Sequence, residues 1–126
     1  MGRIHMKRRF QLLILAVVLQ AGCGAAGPPL APGPLPTWLS SFIRDLESQP
    51  PANPPAFVAR YEFTGDVVYF LPQRCCDIWS TVYRTDGAIL CHPNGGISGT
   101  GDGRCPDFFA QRTNDEIIWR DTRGTP

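Results

Sequence analysis

The sequence predicts an α+β domain in which one N-terminal amphipathic helix packs on a mostly antiparallel β-meander of about four to five strands, stapled by disulfides. Three observations carry this. Apolar residues recur at helical spacing between Trp38 and Leu46. Two later stretches alternate in the manner of β-hairpins, each broken by a glycine-containing turn. Four cysteines, at 75, 76, 91 and 105, lie among those strands.

The helix comes first. Thr37 is a suitable N-cap, Trp38, Leu39, Phe42, Ile43 and Leu46 form one stripe, and Pro50-Pro51 stops the pattern, giving a helix over about 38–48. Phe57, Ala59, Tyr61 and Phe63 then alternate with Val58, Arg60 and Glu62, and Val67 to Leu71 follows after a turn. A two-residue turn at Gly65-Asp66 places Phe63 opposite Val68 and Tyr61 opposite Phe70. Those four make an apolar face, the expected seat of the helix. The second hairpin runs from Ser80 to Thr85, through a type I′ turn at Asp86-Gly87, to Ala88–His92. It sets Val82 opposite Cys91 and Thr81 opposite His92. A last strand over Glu116–Arg120 carries Ile117 and Trp119 on one face.

Composition bounds the function. The 126 residues hold 12 Lys+Arg against 11 Asp+Glu, net +1, which offers no basic stripe for nucleic acid. The total combines two unlike parts. Arg3, Lys7, Arg8 and Arg9 precede the apolar stretch Phe10–Leu19, which is too short to span a bilayer and reads as a signal peptide. Leu19-Gln20-Ala21-Gly22-Cys23 is similar to a bacterial lipobox, with Gln20 departing from the usual apolar residue. This implies cleavage after residue 22 and acylation of Cys23 by palmitate-type chains, an anchor that is effectively permanent. The remaining chain carries eight Arg and 11 acids, net −3, and four cysteines in place of the odd five. Gly24–Pro36, with five prolines and three glycines, is an extended spacer. The expected organisation is therefore a signal over 1–22, a lipidated tether over 23–36 and a domain over 37–126. Gly24 lacks the acidic character of an inner-membrane retention signal, so the expected location is the cell envelope, anchored in the outer membrane and facing the periplasm or the cell surface.

Export places Cys75, Cys76, Cys91 and Cys105 in an oxidising compartment, where disulfides are the default for a small domain. Bridging the neighbours Cys75 and Cys76 requires a strained eight-membered ring, which leaves two pairings in which each reaches one of Cys91 and Cys105. Adjacent cysteines also lack the spacing of a zinc site or a thioredoxin-like redox pair, so neither a metal nor a cofactor is expected. The five glycines between Gly95 and Gly103 fail as a Walker A loop and as a dinucleotide fingerprint. Asp102 and Asp107 there are candidate oxygen ligands for calcium, although EF-hand spacing is missing. No catalytic residue is assigned: a triad needs His92 to meet Ser40, Ser80 or Ser98, and no motif speaks for it. Asp115-Glu116 point to opposite faces of a strand. Tyr69, Trp79, Tyr83, Phe109 and Trp119 exceed what one face needs and suggest a partner-binding patch.

The residues Cys75-Cys76-Asp77, the strand and Asp-Gly turn that follow, and the run from Cys91 through Pro93, Gly95, Gly96, Gly99, Gly101, Asp102 and Gly103 to Cys105-Pro106 and Phe108 resemble a domain of unknown function found in small bacterial lipoproteins. The resemblance spans about Phe57 to Trp119. It implies envelope location and a compact disulfide-bonded α+β domain, and it carries no activity. The expected function is a lipid-anchored binding or structural module that contacts an envelope protein or glycan, held to the membrane by its N-terminal lipid. The alternatives are a small periplasmic enzyme, an enzyme inhibitor and a calcium-binding loop module.

Overall fold

The computed structural model describes residues 33–72, 75 and 77–124. Residues 1–32 lie outside them, and with them the expected signal, Cys23 and most of the tether. Helix α1 (Thr37–Ser48) is followed by strands β1 (Phe57–Phe63), β2 (Asp66–Leu71), β3 (Thr81–Arg84) and β4 (Ile89–Cys91), a short helix α2 (Phe108–Gln111) and strand β5 (Thr113–Arg120). The strands form one antiparallel sheet in the order β4-β3-β2-β1-β5. An α+β domain with a five-stranded meander-derived sheet is what the patterns predict.

Both faces of that sheet are covered. Leu39 and Ile43 of α1 are buried on Val58 and Tyr69, with Val67, Leu71, Tyr83, Ile118 and Trp119 packed around them. Trp38 stands edge-on to Tyr69 at 5.9 Å, and its Nε1 donates to the Thr85 carbonyl at 2.8 Å, fixing the start of the helix against the second hairpin. The seat of the helix is thus the face opposite to the expected one. Tyr61, Phe63, Val68 and Phe70 instead pack with Ala59, Val82, Cys91, Cys105 and Phe108, under the long segment that joins β4 to α2. The run Val67–Leu71 explains the correction: it is apolar at successive positions, as a strand buried on both sides must be. Arg60, which suggested a polar face on β1, satisfies its charge with Glu116 across the β1–β5 pair.

The helix begins one residue early. Pro36 is its N-cap, its carbonyl accepting from the amides of Leu39 and Ser40, and no side chain caps the end, so Thr37 is helical rather than the cap. In the first hairpin the turn is Thr64-Gly65, with φ of 52° and 88°, as a type I′ turn requires. Tyr61 therefore faces Val68 and Phe63 faces Asp66. This is a slip of two from the expected register, so every side chain keeps its face. The second hairpin has the expected Val82–Cys91 pair, but its turn is wider than type I′. Gly87 N–H donates to the Arg84 carbonyl, Arg84 N–H to Ala88, and Tyr83 pairs with Ile89, the bulge being absorbed before Cys91. Gly87, at φ 89°, sits beneath the Trp38 ring, where a Cβ would lie 3.0 Å from the indole.

The last strand starts at Thr113, earlier than expected, and a register shift separates its apolar residues. Trp119 pairs with Val58 and Ile117 with Ala59, so Ile117 and Trp119 do not share a face. Beyond β5 the chain returns to α1. Asp121 N–H donates to the Ala56 carbonyl, and the Asp121 carboxylate takes the Arg123 guanidinium at 2.9 Å. That guanidinium also donates to the Leu46 and Glu47 carbonyls, while Trp119 Nε1 donates to the Glu47 carboxylate at 3.0 Å. A cation at the C-terminus of α1 satisfies its last carbonyls and favours the helix dipole.

Candidate functional site

The most elaborated local structure lies where β3 begins and β4 ends. Ser80, fully buried, bonds Asn94 reciprocally: its N–H donates to the Asn94 carbonyl at 3.0 Å, and its hydroxyl reaches the Asn94 side chain. His92 Nδ1 lies 2.9 Å from the Ser80 carbonyl and 3.2 Å from Thr81 Oγ1. A carbonyl only accepts, so Nδ1 is the protonated, donating nitrogen of this contact. Trp79 rests against the imidazole with ring centroids 4.7 Å apart.

The glycine-rich segment closes over this pair. Gly95 N–H donates to Gly99, Gly99 to Gly96, Gly101 to Gly95 and Asp102 to His92, so the loop is tied to itself and to the end of β4. Two of its glycines are required sterically as well as by their positive φ. A Cβ at Gly101 would lie 1.9 Å from the His92 carbonyl, and one at Gly96 would lie 1.8 Å from Trp79 Nε1. The loop can press on Trp79 and on the β4 terminus only with hydrogen at those positions.

The result is an open groove of about 580 Å³ lined by Asp77, Trp79, Gly96, Ile97, Ser98 and Gly101. Ile97 at the loop tip is 96% exposed, Trp79 on the same groove is 45% exposed, and Ile78, before Trp79 in the chain, is 54% exposed. Trp79 and Ile97, which line the groove together, join into one exposed apolar surface rather than standing as scattered single residues. The Asp77 carboxylate makes no hydrogen bond or ion pair among the described residues. A second hollow, about 320 Å³, sits at the opposite end of the sheet between the two hairpin turns, with Arg84, Asp66 and Asp86 around it.

The cysteines pair differently from expectation. Cys91 and Cys105 bond to each other, with Cα atoms 6.1 Å apart, and both are buried against Phe108. The bridge closes the glycine segment onto the face of the sheet, a local solution that the spacing argument passed over by assigning each of these cysteines to Cys75 or Cys76. Cys75 is exposed and disulfide-bonded, necessarily to neither Cys91 nor Cys105, and Cys76 lies outside the described residues.

The calcium candidates have other work. Asp102 Oδ1 accepts the Arg104 amide at 3.0 Å. Partial burial opposes its ionisation, but backbone hydrogen bonds from Arg104 and His92, with the charges of both residues nearby, hold the carboxyl below its ordinary value. Asp107 is exposed and is the N-cap residue of α2, its carbonyl accepting from Ala110 and Gln111. Among the described residues no three His, Cys, Asp or Glu side chains come together. Nor does the hydroxyl of any serine considered for a triad bond His92, which touches Ser80 only through its carbonyl. The Ser80 hydroxyl is engaged with Asn94, that of Ser98 with Thr100, and Ser40 is on α1.

Of the aromatic residues expected to form a patch, Tyr69, Tyr83 and Trp119 lie under the helix. Phe109 is 42% exposed, its ring 4.8 Å from the Arg112 guanidinium carbon on the other face of the sheet. Trp79 alone among them lines the groove. Ile97 and Ile78 were not singled out from sequence; the available signal was an isolated aliphatic residue inside a glycine-rich loop.

Comparison with curated proteins and with solved structures finds no match for this chain. A family model does match, over residues 44–121, from the middle of α1 to the aspartate that follows β5. The chain belongs to the family described as Domain of unknown function (DUF6970).

Proposed function

We propose that this protein is a lipid-anchored binding module of the bacterial cell envelope, tethered through acylated Cys23 and contacting its ligand at the groove beside Trp79. The observation that carries the reading is Ile97, an aliphatic side chain presented to solvent on a loop whose shape is fixed by glycines, backbone hydrogen bonds and the Cys91–Cys105 bridge. A rigid loop loses little entropy when its tip is covered, which is the economy of a preorganised site. The placement of the chain supports the same reading. Trp38, at the start of α1, packs on the β3–β4 turn, while Trp79 and His92 flank the other end of that hairpin, so the start of the domain and the groove lie at opposite ends of the sheet. The element that the proposed tether joins is thus remote from the groove, which leaves the groove open to a partner.

The test is a photo-cross-linking residue at position 97 of the full-length chain in its native envelope, with position 86, on the opposite turn, as control. Adducts specific to position 97 and lost in Trp79→Ala are expected; equal labelling from both positions contradicts the reading. Mass spectrometry of the mature N-terminus tests the anchor, an unmodified chain without acyl groups on Cys23 being the contrary result.

A further inference from the structure

Three features of the groove narrow its ligand, and this inference rests on the binding-module reading above. One is an indole with two environments: one side of Trp79 meets His92 and Gly96, while the residue, 45% exposed overall, also lines the groove. The π-face of an indole attracts cations more strongly than any other side chain does. Another is charge. Asp77 is the ionisable residue of the lining, exposed and without an ion-pair partner among the described residues, so the groove presents a carboxylate and an aromatic face together. The third is Ile97, whose aliphatic surface lies on the same groove.

We infer that the groove takes a lysine side chain of a protein partner, with the ammonium between Trp79 and Asp77 and the methylene stem along Ile97. Lysine matches this lining part by part, because its stem is apolar along its length and its charge is confined to the tip. An aliphatic ligand would use Ile97 and leave Asp77 facing a desolvated contact, which is unfavourable for an unpaired carboxylate. A glycan would stack on Trp79 but gains nothing from Ile97. The amine headgroups of the anchoring membrane carry the same ammonium chemistry, but they lack the four-carbon stem that Ile97 would meet and hold a phosphate beside the amine, which the Asp77 carboxylate disfavours.

The experiment uses the isotope-labelled full-length chain in detergent micelles and follows the Trp79 indole N–H resonance by NMR. Three pentapeptides of alanine are titrated, each with a different central residue: lysine, acetyl-lysine or norleucine. Lysine is expected to shift the resonance, with both uncharged analogues at least about tenfold weaker, and Asp77→Asn is expected to raise the lysine dissociation constant about threefold, as loss of an exposed ion pair does. Raising the salt concentration should weaken lysine binding and leave the analogues unchanged. Equal binding of norleucine would overturn the inference while leaving a binding groove in place. No shift with any peptide overturns it too, and together with absent position-97 adducts it would remove the binding-module reading as well. A shift produced by phosphatidylethanolamine vesicles and by none of the peptides would also overturn it, assigning the groove to headgroups.

Discussion

The two faces of the sheet are covered by opposite means. On one, a twelve-residue helix lays an apolar stripe across Val58 and Tyr69, and its neighbours in space follow from 3.6-residue periodicity. On the other, residues 92–107 form no helix or strand, contain five glycines at positive φ, and hold their place through one disulfide and the fully buried ring of Phe108. The helical face is closed by many interchangeable contacts, the loop face by a few particular ones. The loop face also carries the exposed Ile97 and the groove, so the cover that depends on fewest residues is the one that carries the proposed recognition surface.

The comparison can be broken first with cavities. Phe108 touches Tyr61, Phe63, Phe70 and Phe109 with ring centroids 5.2–5.8 Å away, so Phe108→Ala should cost about 3–5 kcal/mol in denaturant unfolding and should also change Trp79 fluorescence. Leu39→Ala, an equally buried site beneath the helix, should cost about 2–5 kcal/mol and leave the Trp79 signal of the folded protein unchanged. Equal effects on Trp79 would mean that the two covers are not independent.

Removing the staple comes next. The Cys91–Cys105 bridge has a sequence separation of 14, and a closed loop of that size is worth about 3 kcal/mol on the chain-entropy model. The double change Cys91→Ala/Cys105→Ala should lower stability by about that amount and increase amide exchange in 92–107 more than in α1.

Smaller effects separate glycines needed for space from those needed for φ. Gly99 and Gly101 have φ of 75° and 72°, but a Cβ meets nothing within 4 Å at Gly99 and the His92 carbonyl at Gly101. Gly99→Ala should cost about 1–2 kcal/mol, the penalty of a left-handed alanine, and Gly101→Ala more, as read from their melting temperatures.

The smallest expected effect concerns the helix clamp. The Arg123 side chain, through its hydrogen bonds to the carboxylate, outweighs partial burial and holds the Asp121 carboxyl below its ordinary value of 3.8, while Arg123 itself is raised and stays charged. A carboxyl with a lowered pKa stabilises the fold fully above its unfolded value and loses that contribution as pH falls through the folded one. The difference in melting temperature between the natural chain and Asp121→Asn should therefore be constant near neutrality and shrink below about pH 4. A difference that grows on acidification would contradict the clamp.

Much of this architecture is legible in the residues. The spacing of Trp38, Leu39, Phe42, Ile43 and Leu46 gives α1 to within a residue, and the Val82–Cys91 pair follows from the Asp-Gly turn even though the turn itself is wider. The side of the sheet that takes the helix was not legible, because Arg60 and Glu62 make one face of β1 look polar until Glu116 is brought across from a strand distant in sequence. The Thr64-Gly65 turn was hidden because threonine seldom adopts positive φ. The cysteine pairing was hidden for a different reason: Cys91 and Cys105 are joined by a loop whose path depends on five glycines, and spacing alone does not specify that path. The groove inherits the same dependence, since Ile97 and Trp79 come together only once the loop has closed.

Closure of that loop is the central claim, and non-reducing peptide mapping of the purified full-length chain tests it most directly. The structure requires a disulfide-linked pair of peptides containing Cys91 and Cys105. Recovery of either cysteine linked to Cys75 or Cys76 would contradict it, and with it the fixed loop on which the proposed site stands.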